Sequence, residues 1–273
     1  MGMSPKTRRI YFDTVAFRVV GKAFEKDVLH ADLKSRILIS PITLFEIWSQ
    51  LTITKSEEVL RQIQSVPNWT DSNIGLLPWP DDALYALWHQ KLAPDDGFTK
   101  KIEQAFNLCL AATYPDQLRE AAGDLRDAID DVTDKMALEF KNLLDSARAS
   151  GLGSRDFSNA WYLGIAKRAK GDPSSKSFDA IRSGLNAYYE FEMSKLQVAL
   201  DNKTYNPDKH KNDVLDAEQL VYLYDDSLNF LTCDSGFGNL VKNSAQSKQI
   251  VITTQDKLSN AMQVESFLRT ILQ

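Results

Sequence analysis

Four short runs limit what this chain can fold into more than any other feature. They are Ile10-Tyr11-Phe12, Arg36-Ile37-Leu38-Ile39, Asn229-Phe230-Leu231-Thr232-Cys233 and Gln249-Ile250-Val251-Ile252-Thr253. Each is rich in β-branched or aromatic residues and nearly free of polar alternation. Strands of that kind bury both faces, which is the habit of a parallel sheet covered by crossover helices. Helical signals sit between them. Ser40 caps and Pro41 opens a helix to about Leu51, with Ile42, Phe45, Trp48 and Leu51 on one face. Asn212 caps a helix to about Tyr224, carrying Leu215, Leu220, Val221 and Tyr224. A final amphipathic helix carries Met262, Phe267 and Leu268. The expected fold class is α/β with a parallel sheet.

The middle of the chain reads differently. From Gln117 to Ser150 apolar residues fall at Leu118, Ala122, Leu125, Ile129, Val132, Met136, Phe140 and Leu143, in steps of 4, 3, 4, 3, 4, 4 and 3. That stripe is helical, and Gly151 and Gly153 end it, giving a rod of about 50 Å. Further helices are expected over Leu84–Leu92, Ile102–Thr113 and Arg155–Lys170, and from Phe178 to Leu200, the last two separated by the Gly171–Ser175 breaker. The expected organisation is a discontinuous α/β core, residues 1–66 and 205–273, with a large all-helical insertion over 67–204. The long apolar stripes must be buried somewhere, on the core or as a homodimer arm.

Composition narrows the setting. With 43% hydrophobic and 25% charged residues the chain is globular, and a net charge of -5 supplies no general attraction to nucleic acid or anionic membranes. Cys109 and Cys233 are too few for a disulfide framework or a zinc–thiolate cluster. No apolar stretch is long enough to span a membrane, and Met1–Arg9 lacks the apolar segment of a secretory signal. The expectation is a cytoplasmic protein with no membrane partner.

The chemistry lies where strands end. Asp13 follows the first strand and Asp234 the third. Glu46 lies in the early turns of the helix after the second strand, and Asp213 and Asp216 open the helix leading to the third. In a parallel sheet all these points share the C-terminal edge, where ligand sites form. Each acid has a plainer role available, since Asp is a favoured N-cap. Gathered, however, they repel: two like charges 4 Å apart cost about 4 kcal/mol at an effective dielectric of 20. A divalent cation removes that cost, and all-oxygen ligation selects Mg2+ or Mn2+ over zinc. Such ions activate water for phosphodiester cleavage.

Four stretches together resemble the PIN-domain nuclease family. They are Arg9-Ile10-Tyr11-Phe12-Asp13-Thr14, Ser40-Pro41-Ile42-Thr43-Leu44-Phe45-Glu46, Asn212-Asp213-Val214-Leu215-Asp216-Ala217 and Phe230-Leu231-Thr232-Cys233-Asp234-Ser235-Gly236-Phe237. They are similar to the family's opening strand and Asp, its S-x-x-T-x-x-E helix start, its D-A helix and its T-x-D-x-x-F segment. The resemblance covers the two ends only and implies a Rossmann-like (PIN-like) sheet with metal-dependent ribonuclease activity. It implies Asp13, Glu46, Asp216 and Asp234 as catalytic metal ligands, Asp213 as a fifth ligand or an outer-shell acid, and Thr14 and Thr232 as supporting hydroxyls. Val15 stands where the family has Asn, and 167 residues separate Glu46 from Asp213.

Other features enter as expectations. Lys167-Arg168-Ala169-Lys170, Lys209-His210-Lys211 and Lys6, Arg8 and Arg9 are basic clusters suited to an RNA backbone or to plain solvation. Trp48 and Trp88 fall on apolar helical faces, while Trp69 and Trp79 lie in a Pro-containing segment where exposure and base stacking are expected. His30, His89 and His210 have no metal-ligand spacing. The functional expectation is an endoribonuclease using Mg2+ or Mn2+ on RNA. The alternatives are a weak or inactive PIN-like module that binds a protein through the insertion, with a toxin–antitoxin pairing a variant of either reading, and a metal-dependent phosphatase.

Overall fold

The computed structural model describes residues 7–52, 56–71, 75–94, 98–210 and 212–273, and side chains at 52, 98–100, 119–126, 128–129, 132, 208 and 212–214 lie outside that description. Strand β1 (Arg9–Phe12) leads through α1 (Thr14–Ala23) and α2 (Ala31–Lys34) to β2 (Leu38–Ile39) and α3 (Pro41–Ser49). Then come α4 (Ser56–Gln64), α5 (Val66–Trp69), β3 (Gly75–Leu76), α6 (Pro80–His89), α7 (Phe98–Ala111), α8 (Arg119–Ser150), α9 (Ser158–Arg168), α10 (Phe178–Gly184) and α11 (Asn186–Asp201). The chain closes with α12 (Asn212–Gln219), β4 (Leu228–Thr232), α13 (Ser235–Val241), β5 (Ile250–Ile252) and α14 (Ala261–Ile271).

Every strand pairing is parallel. β1 pairs with β4 from Arg9↔Leu228 to Phe12↔Leu231, and β4 pairs with β5 from Phe230↔Ile250 to Thr232↔Ile252. β2 pairs with β3, and the bridge Ile10↔Ile37 joins this pair to β1. The amides of Arg9 and Asp13 donate to Ser227 and Leu231 on the β4 side, while the Ile10 amide donates to the Arg36 carbonyl, each at 2.9 Å. Neighbouring amides point to opposite edges of a strand, so β2 and β4 flank β1. The strand order is therefore β3-β2-β1-β4-β5. Chain direction across the sheet reverses at β1, so the crevice beyond the C-terminal ends of β1 and β4 is its topological switch point.

Alternation along β1 sets the two helical layers. Ile10 and Phe12 enter a core with Phe17 and Val20 of α1, Ile42 and Ile47 of α3, Ile63 of α4, Trp69 and Leu268 of α14. Tyr11 points the other way, into a core with Phe230, Leu84 of α6, Ile165 of α9, Ile181 of α10, Phe191 of α11 and Phe237 of α13. α1 packs closely on α4 because residue 21 is glycine: a Cβ there would stand 3.0 Å from the Gln62 carbonyl oxygen.

Residues 67–204 thus share in both layers: α6, α9, α10 and α11 join α13 and the 220–223 segment on the Tyr11 face, α7 packs on the Phe12 face, and β3 extends the sheet at β2. A sheet whose strands are apolar on both faces must be covered twice, and on the Tyr11 face the ends of the chain supply only α13, Ala217 of α12 and the 220–223 segment. α8 runs for 32 residues, about 48 Å, packing against α3, α11 and α12. It stops at Gly151, whose φ of 64° is left-handed and cheap only for glycine.

Three local expectations are corrected. The helix expected from Phe178 to Leu200 breaks at Leu185, after the weak helix former Gly184, and the bend seats Leu185 fully in the core. The helix from Asn212 ends at Gln219 and tightens into a 3-10 segment over Leu220–Tyr224. There Leu220, Val221, Tyr222 and Leu223 are all buried, which no single α-helical face allows. Trp69 is wholly buried, edge-on to Phe12 and Phe17 at 5.7 and 5.1 Å, with its ring N–H donating to Ser65 Oγ at 3.1 Å. Its polar handle is satisfied inside, so nothing holds it at the surface. Trp79 is half-buried against Phe45. Among the described residues no helix is long and apolar enough to cross a membrane, and Cys109 and Cys233 are free thiols.

Candidate active site

At the switch point the backbone presents Asp13 directly after β1 and Asp234 two residues after β4. Both do the local work open to any Asp. Asp13 caps α1, accepting from the Ala16 amide at 2.5 Å, and Asp234 caps α13, accepting from the Gly236 amide at 2.7 Å. Asp13 does more than cap. It is 8% exposed, and its second oxygen accepts from the Thr232 hydroxyl and, at 3.3 Å, from the Cys233 amide. Thr232 Oγ1 in turn accepts from the Asp234 amide at 2.9 Å. One hydroxyl thus ties the two strand-end acids together.

Glu46 arrives from α3. Ser40 caps that helix and Pro41 fills its first position, fixing the entry so that Glu46 lies on the second turn. Thr14, the residue after Asp13, donates its hydroxyl to Glu46 Oε2. Asp13 therefore neighbours Glu46 on one side, through Thr14, and Asp234 on the other, through Thr232, the three drawn from separate stretches.

Electrostatics separates Asp13 and Glu46 from ordinary surface acids, while Asp234 stands exposed beside them. Burial raises the Asp13 carboxyl above the usual Asp range; the Thr232, Ala16 and Cys233 hydrogen bonds oppose that, and the charge of Asp234 adds to it. Burial pushes the Glu46 carboxyl up to about 7, against the Thr14 hydrogen bond and reinforced by the charge of Asp13. Burial and Asp13 together push the Cys233 thiol up to about 11. Like charges are being held together, and none of the three acids joins an ion pair among those described.

Asp216 is half-buried on α12, between core residues Leu215 and Ala217. The Asp213 side chain lies outside the described residues. Among the described residues no three His, Cys, Asp or Glu side chains stand close enough to hold one ion. Val15 points outward, 41% exposed.

Two groups of residues at or beside this rim escape sequence reasoning. The first is Thr43 and Gln219, both buried, whose side chains bond one another. The second is an ionic cluster around Arg168. Its guanidinium donates to both Glu218 oxygens at 2.8 and 2.6 Å, to Asp81 at 2.7 Å and to Tyr188 Oη at 3.0 Å. Tyr188 also donates to Glu218 at 3.0 Å. Arg168 is thus turned inward from the run read as a basic surface. The available signal was Glu218, a lone charge between Ala217 and Leu220. Beside this cluster lies a cavity of about 230 Å³ between α3, α6, α8 and α12, walled by Phe45, Trp79, Met136 and Leu215.

Compared with protein-family models, curated proteins and solved structures, the chain matches none.

Proposed function

We infer that this chain is a metal-dependent nuclease of the PIN-like type, with a Rossmann-like sheet, cleaving RNA phosphodiesters as an endoribonuclease. The observation that carries the reading is the gathering of Asp13, Glu46 and Asp234 at the switch point, with burial and mutual repulsion raising Asp13 and Glu46. The chemistry of Asp13, Glu46 and Asp234 suits a hard divalent cation, being all oxygen and anionic with no ion pair to these three among the described residues, while their side chains as they stand do not converge on one ion position. Asp13, Glu46, Asp216 and Asp234 would hold Mg2+ or Mn2+, with Asp213 as a further ligand. When bound, the ion supplies an activated water and neutralises phosphoryl charge.

The protein's own part is positioning. Thr232 and the Ala16 and Cys233 amides orient the Asp13 carboxylate, filling both lone-pair sites of Oδ2 and leaving one on Oδ1. Thr14 turns Glu46 toward Asp13. Asp234 is held by the first turn of α13. The negative total charge of the chain includes these acids, so it weighs little against an RNA substrate.

Replacing Asp13 or Asp234 by Asn keeps each helix cap and removes charge. Both variants are expected to fold normally and to lose cleavage of single-stranded RNA in Mg2+ or Mn2+. Undiminished cleavage by both overturns the reading. A second reading, a binding module engaging a regulatory protein through residues 67–204, draws on the outward-facing Val15 at the position where the PIN family carries Asn. Calorimetric titration with manganese separates the two, with uptake expected for the nuclease and none for the module. A phosphate monoester assayed beside RNA tests the phosphatase alternative.

A further inference from the structure

The acids of the candidate site come from segments far apart in sequence, and something must set their spacing. Thr43 donates its hydroxyl to the Phe12 carbonyl at 2.7 Å. Its only proton is then committed, so the partner on its other side must be a donor, and Gln219 Nε2 fills that place at 3.0 Å. The Gln219 backbone carbonyl accepts from Tyr11 Oη at 2.6 Å. Consecutive residues of β1, Tyr11 and Phe12, are thus tethered to α12, one directly and one through α3. All of these groups are buried.

The offsets matter as much as the bonds. Phe12 immediately precedes Asp13. Thr43 is three residues before Glu46 on α3, and Gln219 three residues after Asp216 on α12, so each shares a helix face with an acid. The ladder therefore joins three acid-bearing segments within one to three residues of each acid. Among the described residues the buried Gln219 Oε1 has no hydrogen-bond partner, and the bond from Nε2 to Thr43 is the one that orients the amide.

We propose that Thr43 and Gln219 are positioning residues that set the separation of β1, α3 and α12, and through it the affinity of the carboxylate centre for a divalent cation. This rests on the metal-centre reading above. It assigns the two residues no contact with substrate.

The test compares Thr43→Val and Gln219→Leu with Thr43→Ser, which restores the hydroxyl. Thr70→Val serves as control: Thr70 is equally buried, and its hydroxyl bonds only the Val66 carbonyl of its own turn. Manganese titration by calorimetry should show dissociation constants raised by about tenfold or more for Thr43→Val and Gln219→Leu, the usual effect of losing an outer-shell partner. Thr43→Ser and Thr70→Val should bind like the wild type. In metal-free protein, hydrogen exchange should quicken together over residues 10–13 and 216–219 in the first two variants and not in the control. Native manganese affinity in Thr43→Val and Gln219→Leu, or equal loss in Thr70→Val, overturns the proposal. If the wild type takes up no manganese, the metal reading falls. Exchange then decides the ladder alone, and unchanged exchange rejects it.

Discussion

The rim acids and the Arg168 cluster are two polar groups, each reaching from the interior to the surface, built on opposite plans. Around Arg168 charges of opposite sign meet: one guanidinium spans Glu218, Asp81 and the Tyr188 hydroxyl. At the rim, Asp13, Glu46 and Asp234 have the same sign and are held by hydroxyls and amides of Thr14, Thr232, Ala16 and Gly236. A buried ion pair complete within the protein has no use for a ligand. A group of acids kept together against repulsion stores an imbalance that an external cation can relieve. The first plan belongs to architecture and the second to a site.

The largest expected effect tests the architectural side. Arg168→Met leaves Glu218 buried without its counter-charge and should lower stability by about 3 kcal/mol in urea unfolding. Adding Glu218→Leu removes the orphan and should restore most of that loss. A double variant as unstable as the single one would show that packing around Arg168, not charge balance, holds α9 to α12.

Glu46 tests the other side with the opposite sign. Its folded-state value, about 7, lies above its ordinary value of 4.5. Protonation is then favoured by folding. The contribution is complete below about pH 4.5 and lost as pH rises through 7. In metal-free protein Glu46→Gln should therefore gain about 1–2 kcal/mol relative to wild type at pH 8, and little at pH 4.5. Equal stability at both pH values would mean that Glu46 feels neither burial nor Asp13. A smaller effect concerns Asp234 as a cap: Asp234→Ala should cost about 1 kcal/mol, recovered by Asp234→Asn. The smallest is at the surface, where breaking the exposed Lys135–Asp131 pair with Lys135→Ala should change stability by less than about 0.5 kcal/mol. A larger loss there would narrow the contrast between buried and exposed charge.

Much of the site was legible because strand ends and helix caps are local signals. Asp13 and Asp234 could be placed on one sheet edge from the apolar runs before them, and Glu46 from the Ser40-Pro41 helix start. Thr43 and Gln219 were not legible as a pair, since a hydrogen bond between residues 176 apart leaves no periodicity in either helix. Glu218 and Arg168 were hidden in the same way, one inside an apolar helix and the other inside a basic run. The exposure expected for Trp69 failed because a Pro-containing segment reads as surface, whereas Pro67 opens a short helix that turns the indole between Phe12 and Phe17.

The sequence by itself determined the α/β class, the parallel habit of the strands, the long rod read over 117–150 and the strand-end position of the acids. All of these follow from local propensity and from the two periods of 2 and 3.6 residues. Only the tertiary structure decided that helices from residues 67–204 pack onto the sheet, most of them beside α13 on the Tyr11 face. Only it could show which buried charges are balanced and which hydroxyls hold the acids, because such pairings depend on what packs beside a residue and not on what precedes it in the chain.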